Sequence, residues 1–279
     1  MMHQASRKTT KGVGGIDLYY ETYAGDKPAT PIFFVHGVGG DLDAWQHVRE
    51  KLVEKGFSGI AMDLRGHGKS GHPYHFKEYR LQNFIEDAIA ILDAEKIDRV
   101  ILVGHSLGAV LTSHIALHHP ERIEKLILIS SSYIPPPYFK IPGMFFLFNM
   151  LAAISLPPIR PGHSTYPPGK HHKDIEVFGL IRTILRNSLR SYILSSKEIL
   201  KSDIGTSLHN IQVPTLIISG NKDTIFPTPI SLHIRSEIKD SALKVIDGGN
   251  HVVILNNAEE VARDISGFLG GAASEAPLS

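Results

Sequence analysis

The stretch "RVILVGHSLGAVLTSHIALHHP", residues 99–120, decides the fold. After Arg99, residues 100–103 form a continuous apolar run of the kind that makes a buried strand, and residues 109–118 carry on as a helical pattern. Between them stands Gly-His-Ser-Leu-Gly, residues 104–108. Glycines at 104 and 108 allow a sharp strand-to-helix turn and a close approach of helix to strand. Ser106 is then presented above the end of the sheet. The Leu107 N–H sits at a helix N-terminus, free to donate to a developing oxyanion. An ordinary helix N-cap would use the same serine, so the surrounding chain has to discriminate.

Working outward, short apolar runs alternate with helical patterns. Strands are expected at 16–23, 30–37, 57–63, 99–104 and 123–130, with helices around 42–55, 79–94 and 109–118. The alternation stops at "SSSYIPPPYFKIPG" and resumes at "VPTLIISG", 213–220. A helix after Pro227, a strand at 243–247 and a closing helix from about Asn257 to Leu269 follow. Strands and helices in alternation predict an α/β fold, a mostly parallel sheet with helices on both faces. The unbroken apolar character of the strands says that both faces are covered.

Residues 131–207 interrupt this core and read as a helical insertion, a cap, leaving 1–130 and 208–279 as the core. The run "IPGMFFLFNMLAAISLPP", 141–158, is short for a membrane span and bracketed by prolines, so a helix covering something apolar is expected. Within it Met144, Phe145, Phe148 and Leu151 suit the wall of an acyl pocket, and they suit equally the packing of the cap onto the core. A further helix is expected at 174–201, with Phe178, Ile181, Leu185 and Leu189 on one face. Its arginine stripe, Arg182, Arg186 and Arg190, reads as a solvated face.

Composition bounds the function. The 279 residues carry a formal net charge of +1, which supplies no electrostatic reason to expect a nucleic-acid partner. There is no cysteine, so disulfides, thiolate zinc sites and thiol nucleophiles are excluded. The start, "MMHQASRKTTKG", lacks the apolar core of a secretory signal, and a cytoplasmic location is the default expectation. No H-E-x-x-H or phosphate-binding glycine motif occurs, and neither metal nor cofactor is expected. His163, His171 and His172 lie in a proline-rich loop without fixed ligand geometry, and no role is assigned to them.

In open parallel sheets, ligands bind beyond the carboxyl ends of the strands. Five strand ends carry polar or glycine-rich turns: "HGVGG" at 36–40, "DLRGHGKS" at 63–70, "GHSLG" at 104–108, "GNKD" at 220–223 and "GGNH" at 248–251. A serine hydroxyl needs a base, and the base needs an acid to orient it. His251 follows the last strand and Asp223 the strand before it, giving the order Ser, Asp, His. Either residue alone would pass as an ordinary turn residue; their placement at successive strand ends carries the reading. In "HGVGG" the Val38 N–H is the natural second oxyanion donor beside Leu107.

These five segments together resemble the α/β-hydrolase superfamily, over residues about 12–130 and 208–270. The resemblance implies an eight-stranded, mostly parallel sheet with a cap inserted after the sixth strand. It also implies Ser106 as nucleophile, Asp223 as acid and His251 as base, with Asp63, Arg65 and His67 as scaffold near the site. A serine at the elbow argues against the dehalogenases and epoxide hydrolases of this fold, which carry aspartate there. His105 before the serine argues against the carbon–carbon bond hydrolases. The expected activity is hydrolysis of a small carboxylic ester with an apolar acyl group, as in a carboxylesterase or monoacylglycerol-lipase-like enzyme, through an acyl-enzyme. A cofactor-free haloperoxidase or perhydrolase, or a ligand-sensing protein that kept the triad, would need the same residues.

Overall fold

In a computed structural model of the protein, the structure describes residues 5–27, 29–135, 141–155, 158–159, 161–167, 172–174, 181, 185–201 and 203–270. Phe178, Arg182 and His171, singled out above, lie outside the described residues. One eight-stranded sheet runs in the order β1-β2-β4-β3-β5-β6-β7-β8. The strands are β1 Ser6–Lys11, β2 Asp17–Tyr23, β3 Ile32–Val35, β4 Gly59–Met62, β5 Val100–His105, β6 Ile123–Ile129, β7 Thr215–Gly220 and β8 Ser241–Ile246. β1 pairs with β2, and β2 with β4, antiparallel. From β4 to β8 every pairing is parallel.

Side chains alternate across a strand, and the core alternates with them. Phe33, Val35, Leu102, Leu126 and Leu128 join one apolar cluster, while Ile32, Phe34, Ile101, Val103, Ile127 and Ile129 join the other. The first face is covered by α2 Leu81–Ala94 and α3 Leu107–His118. The second is covered by α1 Gln46–Glu54 and by the closing helix. The apolar runs are continuous because neither face of the central strands meets water.

The chain between β6 and β7 carries two longer described helices, α4 Met144–Ile154 and α5 Leu189–Leu200, which pack on one another. Three helices follow: α6 Thr228–Glu237, the one-turn α7 Val253–Asn256 and the closing α8 Ala258–Leu269.

The helix expected at 174–201 is broken. Ser188 has φ 63°, and its hydroxyl accepts the Ser191 N–H, capping a helix that starts only at Leu189. Ile181 and Leu185 are exposed, so the one-faced pattern fails there. Nor is Arg190 solvated. It is 6% exposed, and its guanidinium donates to the carbonyls of Ala152, Ala153 and Ser155 at 2.9, 3.2 and 3.1 Å. Those carbonyls lie at the end of α4, where the regular helical ladder runs out; the Ala152 carbonyl also accepts from the Ser155 N–H and hydroxyl. Arg190 also lies 3.9 Å over the ring of Tyr74. The arginine closes one helix end instead of facing water.

Of the four expected acyl-wall residues, Phe148 and Leu151, like Val38, are partly buried against the apolar cluster that contains Leu107. Met144 is half-buried and Phe145 exposed.

Candidate active site

Ser106 sits between β5 and α3 with φ 55° and ψ −123°, a conformation that costs a non-glycine residue about 1–3 kcal/mol. The surroundings fix it. Its N–H donates to the Ile129 carbonyl at the end of β6, and its own carbonyl accepts from Ala109 and Val110. Both flanking glycines are required sterically. A Cβ on Gly104 would lie 2.5 Å from the Gly108 carbonyl oxygen, and one on Gly108 would lie 2.4 Å from that of Val35. The glycines therefore let α3 rest directly on the strand ends.

His251 Nε2 lies 2.8 Å from Ser106 Oγ. Its Nδ1 lies 2.9 and 3.1 Å from the two Asp223 oxygens. A carboxylate only accepts, so Nδ1–H donates to Asp223 and Nε2 is left to accept the serine proton. Asp223 is held by the N–H groups of Ile225 and Phe226, at 2.9 and 2.8 Å. Burial raises its pKa, but His251 and these two amides outweigh burial and keep it below the ordinary value. Asp223 and His251 thus come from the loops after β7 and β8. A Cβ on Gly220 would meet the Gly249 carbonyl oxygen at 2.2 Å, which is how closely those loops approach. Hydrogen-bonding the imidazole to a fixed carboxylate and to a strained serine is what activates a hydroxyl for attack.

The Leu107 N–H begins α3, and Val38 follows Gly37, whose Cα is so near Ser106 that a Cβ there would lie 3.1 Å from the serine Cβ. Neither amide has an acceptor among the described residues. Leu107 at the start of α3 and the loop of Gly37 and Val38 thus both lie next to Ser106.

Several residues at the site were not legible in the sequence. His105 donates from Nε2 to the His251 carbonyl at 2.8 Å, and burial pushes its pKa down to about 3, so it stays a neutral donor. His163, passed over above, is clasped between carboxylates: Nε2 is 2.7 Å from Asp63 and Nδ1 is 3.1 Å from Asp43. Both acceptors are carboxylates, so both ring nitrogens must carry protons. Burial opposes the charge, but the two aspartates outweigh it and raise the pKa to about 10. Beside it Ser164 N–H donates to Asp41 at 2.6 Å, and Asn187 bridges the Gly39 carbonyl and the Gly68 N–H. The insertion is thereby tied to the loop that carries Val38. Asp63 and Arg65 have the scaffold character expected of them: Asp63 also accepts from Leu42 and Lys69 N–H, and Arg65 pairs with buried Asp87 at 2.6 Å. Among the described residues no His, Asp and Glu side chains are grouped to hold a metal ion, and no helix is long and apolar enough to cross a membrane.

Comparison with known proteins agrees with the geometry. A family model described as Serine aminopeptidase, S33 matches residues 26–258. Protein ABHD8 of Homo sapiens is 27% identical over 249 residues, covering 85% of this chain and 54% of that protein. The chain thus spans about half the length of the ABHD8 relatives it matches. The Bifunctional esterase/perhydrolase DCH of Acinetobacter calcoaceticus is 26% identical over 277 residues, covering 94% of this chain and 98% of that one. The crystal structure of bromoperoxidase from Bacillus anthracis superposes with a TM-score of 0.74 at 23% identity, covering 95% of this chain and all of that one, a likeness of fold.

Proposed function

The chain belongs to the α/β-hydrolase family whose model is described as Serine aminopeptidase, S33, and on that premise we propose that it is a serine-dependent hydrolase of carboxylic esters. The observation that carries the reading is the unbroken hydrogen-bond chain Ser106–His251–Asp223 on a strained elbow. In this reading Ser106 Oγ attacks the ester carbonyl while His251 Nε2 takes its proton. The amides of Leu107 and Val38 stabilise the tetrahedral oxyanion. The imidazolium, held by Asp223, returns the proton to the departing alcohol, and a water activated by the same histidine releases the acid.

Residues 131–207 act as the cap over a core of 1–130 and 208–279, and the substrate carries an apolar acyl group. Phe148 and Leu151, packed like Val38 against the apolar cluster that contains Leu107, support that wall, with Met144 and Phe145 on the same helix. Esterase-named relatives favour an ester over the amide that the family description names. Peroxide in place of water at the second step is the second reading, favoured by the esterase/perhydrolase relative that matches nearly end to end.

Ser106→Ala should abolish hydrolysis of p-nitrophenyl esters and labelling by a fluorophosphonate while the fold persists. Retained turnover in that variant refutes the assignment. Acyl chains of two to twelve carbons, an aminoacyl anilide and added peroxide then separate the substrate readings.

A further inference from the structure

The roles given to Ser106, His251 and Asp223 leave one carboxylate beside them unused, and it comes from the insertion. Asp174 Oδ1 accepts the backbone N–H of His251 at 2.6 Å. Its Oδ2 accepts both the N–H and the hydroxyl of Thr224, at 3.0 and 2.7 Å. Thr224 is the residue after Asp223. One carboxylate therefore spans the base loop and the acid loop at the end where both meet the serine. The preceding residues strengthen the attachment: the His172 carbonyl accepts from the side chains of Asn250 and Asn256, and its N–H donates to Asn256. Asn250 immediately precedes His251.

We propose that Asp174 is a positioning residue of the hydrolytic reaction, a clamp from the insertion that fixes the backbone of the base relative to that of the acid. The inference rests on the triad reading above. Among the described residues, the core holds the His251 backbone only at its carbonyl, through His105, and joins the two loops farther back through Lys222 N–H and the Gly249 carbonyl. The backbone N–H of His251 is held by Asp174. A charged acceptor makes the stronger class of hydrogen bond. The imidazole has to stay on Asp223 while Nε2 serves first the serine and then the leaving group, and misplacement by about 1 Å at such a site can cost roughly a hundredfold in rate. A residue that merely fastens the insertion would affect stability or KM; a residue that sets the base affects kcat.

The experiment compares the full chain with Asp174→Ala, Asp174→Asn and Thr224→Val. It measures p-nitrophenyl butyrate hydrolysis per serine titrated by a fluorophosphonate. Asp174→Ala should lower kcat roughly tenfold or more with KM within about twofold. Asp174→Asn keeps one accepting oxygen and should recover part of the loss; Thr224→Val removes only the hydroxyl arm and should lose least. If Asp174→Ala does not fold, the Asn and Val variants decide. The proposal is overturned if kcat per titrated serine stays within about twofold of the parent in the folded Asp174 variants, or if KM rises while kcat holds. A parent protein that neither labels at Ser106 nor turns over the ester overturns the triad reading together with the clamp. Normal parent turnover with indifferent Asp174 variants overturns the clamp alone.

Discussion

Replacing His163 by glutamine removes one positive charge from a site with two carboxylates and leaves the side chain polar. Asp63 is fully buried and loses its only cationic partner among the described residues; Asp43 is part-exposed and keeps Arg49 at 3.7 Å. The pKa of His163 rises from 6.5 to about 10 on folding, and at ~1.4 kcal/mol per unit that sets a ceiling of ~5 kcal/mol. Solvent reaches Asp43, which screens its share, and a loss of ~2–4 kcal/mol is expected. For a chain of this size that corresponds to a fall in Tm of roughly 4–16 °C.

The sign of the pH dependence follows from the direction of the shift. A histidine whose pKa is raised in the fold contributes fully below its unfolded value and loses that contribution as pH climbs through its folded value. The margin between parent and His163→Gln should therefore be full once the pH is below about 6.5, shrink as it climbs toward pH 10 and vanish above it. Asp41, pushed up to about 7 by burial and by neighbouring Asp63, carries the same sign over a lower range, so comparison above pH 8 isolates the histidine. Thermal or urea unfolding of both proteins across pH 8–10.5 is the assay. A margin that stays constant or grows with pH refutes the imidazolium clasp.

Two further substitutions test the packing of the site. Gly108→Ala drives a methyl against the Val35 and His36 carbonyl oxygens, at 2.4 and 2.5 Å, and displaces α3 from the strand ends. Esterase activity should fall at least roughly tenfold, with a loss of stability of ~1–3 kcal/mol; full activity in this variant refutes the close approach. Arg190→Lys cannot reproduce a planar fork over three carbonyls and a tyrosine ring, so it should destabilise by ~1–3 kcal/mol. Urea unfolding that finds Lys equivalent to Arg returns this residue to the solvated face expected of it.

What the sequence made legible was whatever constrains the chain locally. Ser106 and its glycines were readable because a strand-to-helix turn imposes its sterics within five residues, and Asp223 and His251 because strand ends share one edge of the sheet. β1 was not readable: Ser6–Lys11 is a polar, largely exposed edge strand with no buried residue and no apolar alternation to mark it. The break at Ser188 was hidden in a pattern that the helical period alone would have carried through. It has a purpose in the fold, since ending the helix there turns Asn187 onto Gly39 and Gly68.

The supports of the site were illegible for a different reason. His105 reaches His251 across 146 residues, His163 reaches Asp63 across 100, and Asp174 reaches His251 across 77. A histidine in a proline-rich loop looks the same whether it is solvated or held between buried carboxylates. Charge accounting along the strand ends would have told the two apart. Asp41, Asp43 and Asp63 converge beside the loop that carries Val38, while Arg65, the arginine nearest Asp63 in sequence, is committed to Asp87 and points to no pairing there. Buried carboxylates demand a cation or a proton. The proton goes to Asp41 as the pH falls through about 7, and the cation has to come from elsewhere in the chain. His163 in the insertion supplies it, and the same contact that neutralises the core seats the insertion on the loop that carries Val38.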